Sequence, residues 1–137
     1  MAYGADIGKA IYSELAGNST IITLIGSASK IQPSAIYTAS PTAGIFYDIL
    51  SVDNENTKTT STADLTAVTF QIECFMTNYK DLIRLGTTAQ GVLDKIGAGT
   101  YNGVQLQSCV MQSQSTDFDG TNKLYYMQTT YKARVVI

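Results

Sequence analysis

The chain has no histidine, no tryptophan, only two prolines and two cysteines, and charged side chains at just 15% of its 137 residues. Without histidine the commonest general base and the commonest transition-metal ligand are both missing, so Ser-His-Asp, Cys-His and most zinc arrangements lose their central member. The carboxylates that could replace it are scattered: Glu14, Asp81 and Asp94 read as outward residues of helices, and Asp117 and Asp119 as turn formers. The segment DFDGTN, 117–122, lacks the spacing and closing glutamate of an EF-hand, and GAGTYNG, 97–103, follows a helix instead of opening one and carries no Lys-Ser/Thr. The sequence therefore predicts no catalytic residues, no metal site and no cofactor; the expectation is a protein that is not an enzyme.

Other scarcities exclude other classes. No cluster of lysines or arginines exists and the net charge is -2, which speaks against gripping nucleic acid. The longest apolar stretches, 21–25 and 44–50, are far too short to cross a bilayer, and the N-terminus has no basic region followed by an apolar run. The expected location is the cytoplasm, with no membrane partner. Cys74 and Cys109 stand apart from each other and from any metal-ligand spacing, so they read as small buried apolar residues; a disulfide would need facing positions on adjacent strands.

What is present is a core. Hydrophobic residues make up 45% of the chain, enough for one globular domain spanning 1–137. Its surface must be filled by Ser, Thr, Asn and Gln, a polar but weakly charged skin that tolerates contact with other subunits.

Ile7, Ala10, Ile11 and Leu15 recur at helical spacing between Asp6 and Gly17 and predict a first short helix. Asn18 as N-cap and Gly26 as stop predict a second. Residues 27–42, with Pro33 and Pro41, read as a loop with a brief extended piece at 35–38. The run 44–52 is apolar on both alternating faces and predicts a central strand covered on both sides. Next, 53–64 (DNENTKTTSTAD) holds no large apolar side chain and must project as a long hairpin loop. Val68, Phe70, Ile72, Cys74 and Met76 then alternate with polar residues and Phe75 as a strand with one strongly apolar face.

The main helix is expected over 78–96, ended by Gly97 and Gly99, with internal Gly86 and Gly91 compensated by close packing on the sheet. A strand from Gly103 to about Gln112, a turn carrying Asp119 and Gly120, and a closing strand over 124–136 complete a second hairpin. In that last strand Tyr125, Met127, Tyr131, Ala133 and Val135 form the core side. Its tyrosines could stack single-stranded bases, but only Lys132 and Arg134 would meet phosphates, so core or subunit interface is the reading. The expected fold class is α+β: a mostly antiparallel four-stranded sheet of two hairpins, with one long and one or two short helices on one face.

This succession, with the stretches IYSELAGNSTIITLIG, TFQIECFMTNYKDLIRLGTTAQGVLDKI and YYMQTTYKARVVI, resembles the tail-terminator or tail-completion proteins of siphophages over nearly the whole chain. Cys74, Phe75 and Met76 ending a strand that runs into a helix opened by Tyr79 are similar to the family's strand-to-helix junction. The resemblance implies a structural virion protein that forms a homo-oligomeric ring, usually a hexamer, on the head-proximal end of the tail tube. Such a ring ends tube polymerisation and presents a surface to the head-side connector or stopper protein. Its partners would be the tail tube protein and that connector, with double-stranded DNA passing through the lumen without specific binding.

The resemblance further implies that the long loop faces the tube or lumen. The candidate residues are Asp53, Asn54, Glu55, Asn56, Thr57, Lys58, Thr59, Thr60 and Asp64, whose acidic balance would repel passing phosphate. The turn with Asp117, Phe118, Asp119 and Asn122 is a second candidate interface. A head-completion or stopper protein of the neck, or a small ligand-binding or accessory α+β domain outside any virion, are the alternative readings.

Overall fold

A computed structural model describes residues 3–33, 43–54, 65–96, 99–101, 103–121 and 123–136. Two asparagines set helix starts within it. Asn18 accepts a hydrogen bond from the Ile21 amide at 3.1 Å, and Asn78 accepts from the Lys80 and Asp81 amides at 2.9 and 3.3 Å, satisfying donors that the first helical turn leaves unpaired. They open α2 (Ser19–Ile25) and α3 (Tyr79–Asp94); α1 (Tyr3–Ala16) precedes both. α2 stops where Gly26 adopts φ 94°, in the left-handed region, and returns its amide to the Ile22 carbonyl. A short 3-10 turn, Ala28–Lys30, leads into the sheet.

That sheet is mixed and six-stranded, in the order β1-β2-β3-β6-β5-β4. Its strands are β1 (Ile31–Pro33), β2 (Ala43–Asn54), β3 (Leu65–Met76), β4 (Gly99–Tyr101), β5 (Val104–Asp119) and β6 (Leu124–Val136). The four long strands pair antiparallel, as the two predicted hairpins require. The expectation of four strands falls short by two three-residue strands, one at each margin. β1 lies parallel to β2, and β4 antiparallel to the start of β5. β1 sits at 31–33, before the extended piece expected at 35–38, which lies outside the described residues. Segments this short carry too little alternation to register as strands in a sequence; the neighbouring long strand recruits them by pairing.

Period-two alternation then decides what is buried. Val68, Phe70, Ile72, Cys74 and Met76 of β3 join Met127, Tyr131, Ala133 and Val135 of β6 in one core with Ile7, Ile11 and Leu15 of α1, Ile21 and Ile25 of α2, and Leu82, Leu85, Ala89 and Leu93 of α3. All three helices thus cover one face of the sheet, as expected, and among the described residues no helix covers the other. That open face is mostly polar, with Gln71, Glu73, Gln128, Thr130 and Lys132 in its central rows, and Gln128 donates to Glu73 across it at 3.0 Å.

Two expectations are corrected by this arrangement. The central strands are β3 and β6, whereas β2 is second from the margin and covered on one face only: Leu50 stays 49% exposed and Val52 45%. An irregularity at Leu50 breaks the β2–β3 register there; beyond it Val52 again stands opposite a buried core residue, Val68, yet is not itself covered. Second, β5 runs on to Asp119 instead of ending near Gln112. Its last seven residues, SQSTDFD, have no strand-like alternation of their own, but β6 begins at Leu124 and pairs with them residue by residue up to Asp119.

Candidate functional site

The sheet separates the two surfaces picked out in the sequence. Asp53 and Asn54 are the last residues of β2, opposite Ala67 and Thr66, so they belong to the strand and not to the projecting loop. The Asp53 side chain is exposed. Glu55, Asn56, Thr57, Lys58, Thr59, Thr60 and Asp64 lie outside the described residues. The described residues that flank them, Asn54 and Leu65, lie at the edge where β3 starts and β6 ends, since Asn54 faces Thr66 and Leu65 faces Val136. Asp117, Phe118 and Asp119 sit at the opposite edge, where β3 ends and β6 starts, Met76 facing Tyr125 and Tyr125 facing Phe118. A strand of 12 residues separates these edges by about 36 Å at 3.3 Å per residue. Of the first surface only Asp53 and Asn54 are described, and these two are not brought together with Asp117–Asp119.

The second surface is not the turn that was expected. Asp117, Phe118 and Asp119 are paired strand residues, and the turn proper begins at Gly120; Asn122 lies outside the described residues. Asp119 caps this turn by accepting from the Thr121 amide at 3.0 Å, and Lys123 closes it at a φ of 53°, a left-handed conformation. On the open face the Tyr126 hydroxyl donates to Asp117 at 3.3 Å. The Asp117 charge, above all, pushes the Tyr126 phenol upward from its ordinary range.

On the helix face the Phe118 ring packs on Tyr125 at 4.6 Å, and Tyr125 meets Tyr79 edge-on at 5.5 Å. Phe118 is 46% exposed and Tyr79 52%. This aromatic ledge was missed in the sequence, where Tyr79 reads as the first member of the apolar stripe of α3. It is on that stripe, but it overhangs the end of the core, where Tyr125 is the ring that reaches it. The available signal was the expected length of β6: a strand over 124–136 needs an equally long partner, which carries β5 past Gln112 to Phe118.

An open groove of about 420 Å³ lies between the last turns of α1 and α3, lined by Glu14, Asn18, Thr88, Val92 and Lys95 among others. It offers one carboxylate and one ammonium group. Among the described residues no three metal-ligating side chains come together. Cys74 and Cys109 are both free and lie on β3 and β5, with β6 between them, so they do not face each other across adjacent strands. Burial in each case pushes the thiol up to about 12. A thiol so placed is a poor nucleophile at neutral pH. No helix is long and apolar enough to cross a membrane among the described residues.

No protein-family model matches the sequence, and no curated protein does. Among solved structures the chain is similar to a chain of the "Virion of native gene transfer agent (GTA) particle", with a TM-score of 0.73 over 100% of both chains at 13% identity. The chain thus shares its whole fold, helices and sheet together, with a component of a virion particle.

Proposed function

We propose that this chain is a structural virion protein, without catalytic activity, that caps the head-proximal end of a phage-like tail tube as a homo-oligomeric ring, usually a hexamer, and offers the surface to which the head-side connector or stopper joins. The observation that carries this reading is the end-to-end likeness to a chain of a gene transfer agent virion. The separation of the two candidate surfaces supports it. A part that joins tube to connector needs two contact regions that do not compete, and Asp53 and Asn54, which lead into the first candidate segment, stand at the opposite end of the sheet from Asp117–Asp119.

A ring of identical subunits forms when one patch meets a different patch on the neighbour and the rotation closes. The weakly charged surface, 15% charged residues over the whole chain, opposes such contacts little. In the lumen, Asp53, Glu55 and Asp64 against Lys58 would repel phosphate, which suits DNA that must slide through. Mass measurement together with electron microscopy of the protein mixed with purified tail tubes tests this. Ring-shaped caps on tube ends are the expected result. Binding to portal-containing heads alone would move the protein to the neck, and a monomer indifferent to both would end the virion reading.

A further inference from the structure

We propose that the outer edge of β5 over residues 113–119 is a strand-addition site that takes an extended segment of a different protein, one in which basic residues alternate with apolar ones. The inference stands on edge geometry and side-chain chemistry and does not depend on which position in a virion the chain occupies.

β4 pairs only with Val104–Leu106 of β5. Beyond that point β5 has β6 on one side and, among the described residues, no strand on the other. Register shifts interrupt the strand between Leu106 and Ser108 and again between Met111 and Ser113, but from Ser113 to Asp119 the pairing with β6 is unbroken. An unbroken edge strand presents a row of backbone donors and acceptors that another strand can complete; within this one the Phe118 amide already donates to the Asp117 carboxylate at 2.8 Å, so an added strand pairs with the remaining groups. Edges that avoid such pairing usually carry charged side chains, above all Lys, or Pro or a bulge. SQSTDFD has neither Lys nor Pro, both irregularities lie before it, and its two charges, Asp117 and Asp119, are of one sign, so they disfavour acidic strands and leave basic ones favoured.

Side chains give the edge a direction and a preference. Ser113, Ser115, Asp117 and Asp119 share the open face, opposite Thr130, Gln128, Tyr126 and Leu124, while Thr116 and Phe118 share the helix face, opposite Met127 and Tyr125. An added strand would therefore set alternate residues beside Asp117 and Asp119, where cations are favoured. The residues between them would lie against Phe118 and the ledge it forms with Tyr125 and Tyr79, where apolar groups are favoured.

A second copy of this chain does not supply such a segment. Lys132 and Arg134 are the sequence's only two cations spaced two residues apart, and their strand is already paired on both sides, by β3 and β5. The other lightly paired margin, β2 beyond Tyr47, carries Asp48 and Asp53, like charges to those on the β5 edge.

The test titrates the ¹⁵N-labelled full chain with a blocked heptapeptide of alternating lysine and valine. Amide shifts confined to 113–119 and its ledge are expected, with slowed hydrogen exchange at the amides that point away from β6. N-methylation of alternate peptide bonds should weaken binding at least tenfold, a glutamate-for-lysine peptide should not bind, and Asp117→Lys should weaken the lysine peptide about tenfold while gaining affinity for the glutamate one. Asp117 is exposed, so the variant is expected to fold, and an unchanged spectrum elsewhere verifies this. The proposal is overturned by any of three results: no shifts at millimolar peptide, equal binding of the N-methylated peptide, or concentration-dependent self-association of the chain through this edge.

Discussion

Tyr131 stacks on Phe70 at 5.3 Å in the centre of the core, yet its hydroxyl is buried with no hydrogen-bond partner among the described residues. Burial also drives its phenol well above the ordinary range. A buried polar group left unpaired costs about 1–3 kcal/mol. Tyr131→Phe keeps the stacked ring and removes that cost, so it should stabilise the protein by about 1 kcal/mol, read as a higher urea midpoint at unchanged slope. The two thiols add to the alkaline sensitivity that this phenol brings. With folded values near 12 for Cys74 and Cys109 against an ordinary thiol value of 9.0, the folded state holds protons that the unfolded state releases. Stability from this source is complete below about pH 9 and falls as pH rises toward 12. Chemical denaturation between pH 7 and 11 should show a plateau and then a decline that a Cys74→Ala, Cys109→Ala double variant makes shallower. At pH 8 both thiols should resist alkylation until the protein is unfolded.

At the scale of the element, α3 separates two glycines that look alike in the sequence. A Cβ at Gly86 would collide with the Met127 sulfur, whereas one at Gly91 would meet nothing within 4 Å. The close packing expected beneath both is present beneath Gly86 alone; Gly91 borders the open groove. Gly91→Ala should therefore gain about 1 kcal/mol of helix propensity. Gly86→Ala gains the same propensity but must displace the buried Met127 side chain, at about 1–3 kcal/mol for overpacking, so a net loss is expected. Thermal melting of the two variants, moving in opposite directions, checks both. One helix start was legible: Asn18 is where capping chemistry puts it, because a cap is a local exchange between one side chain and the next turn; Asn78, expected inside the main helix, turns out to be its cap.

For the whole molecule, the distance between the two candidate surfaces is the consequential feature. If residues 53–64 contact a partner and contribute nothing to the core, deleting 55–62 should leave the fold intact, joining Asn54 to Leu65 through two residues. Shortening a surface loop changes closure entropy by only about 1 kcal/mol, so the melting temperature should move by a few degrees at most. Virions carrying the deletion should nonetheless fail to build tails of correct length that join heads. Normal infectious particles from that variant would remove the loop from the assembly role.

The sequence by itself determined the α+β class, the Asn18 cap, the apolar face of β3 and the core side of β6, since each depends on neighbours within a turn or on a two-residue alternation. It also identified 53–64 as a segment unfit for a core. Only the tertiary structure decided the two short marginal strands, the one-sided cover of β2, the extension of β5 to Asp119 and the aromatic ledge of Tyr79, Phe118 and Tyr125. Each of these depends on pairing or packing with another strand or ring and not on a pattern within the segment itself. Ser113–Asp119 is polar and turn-like when read alone, and becomes a strand because the start of β6 has backbone groups to be paired there.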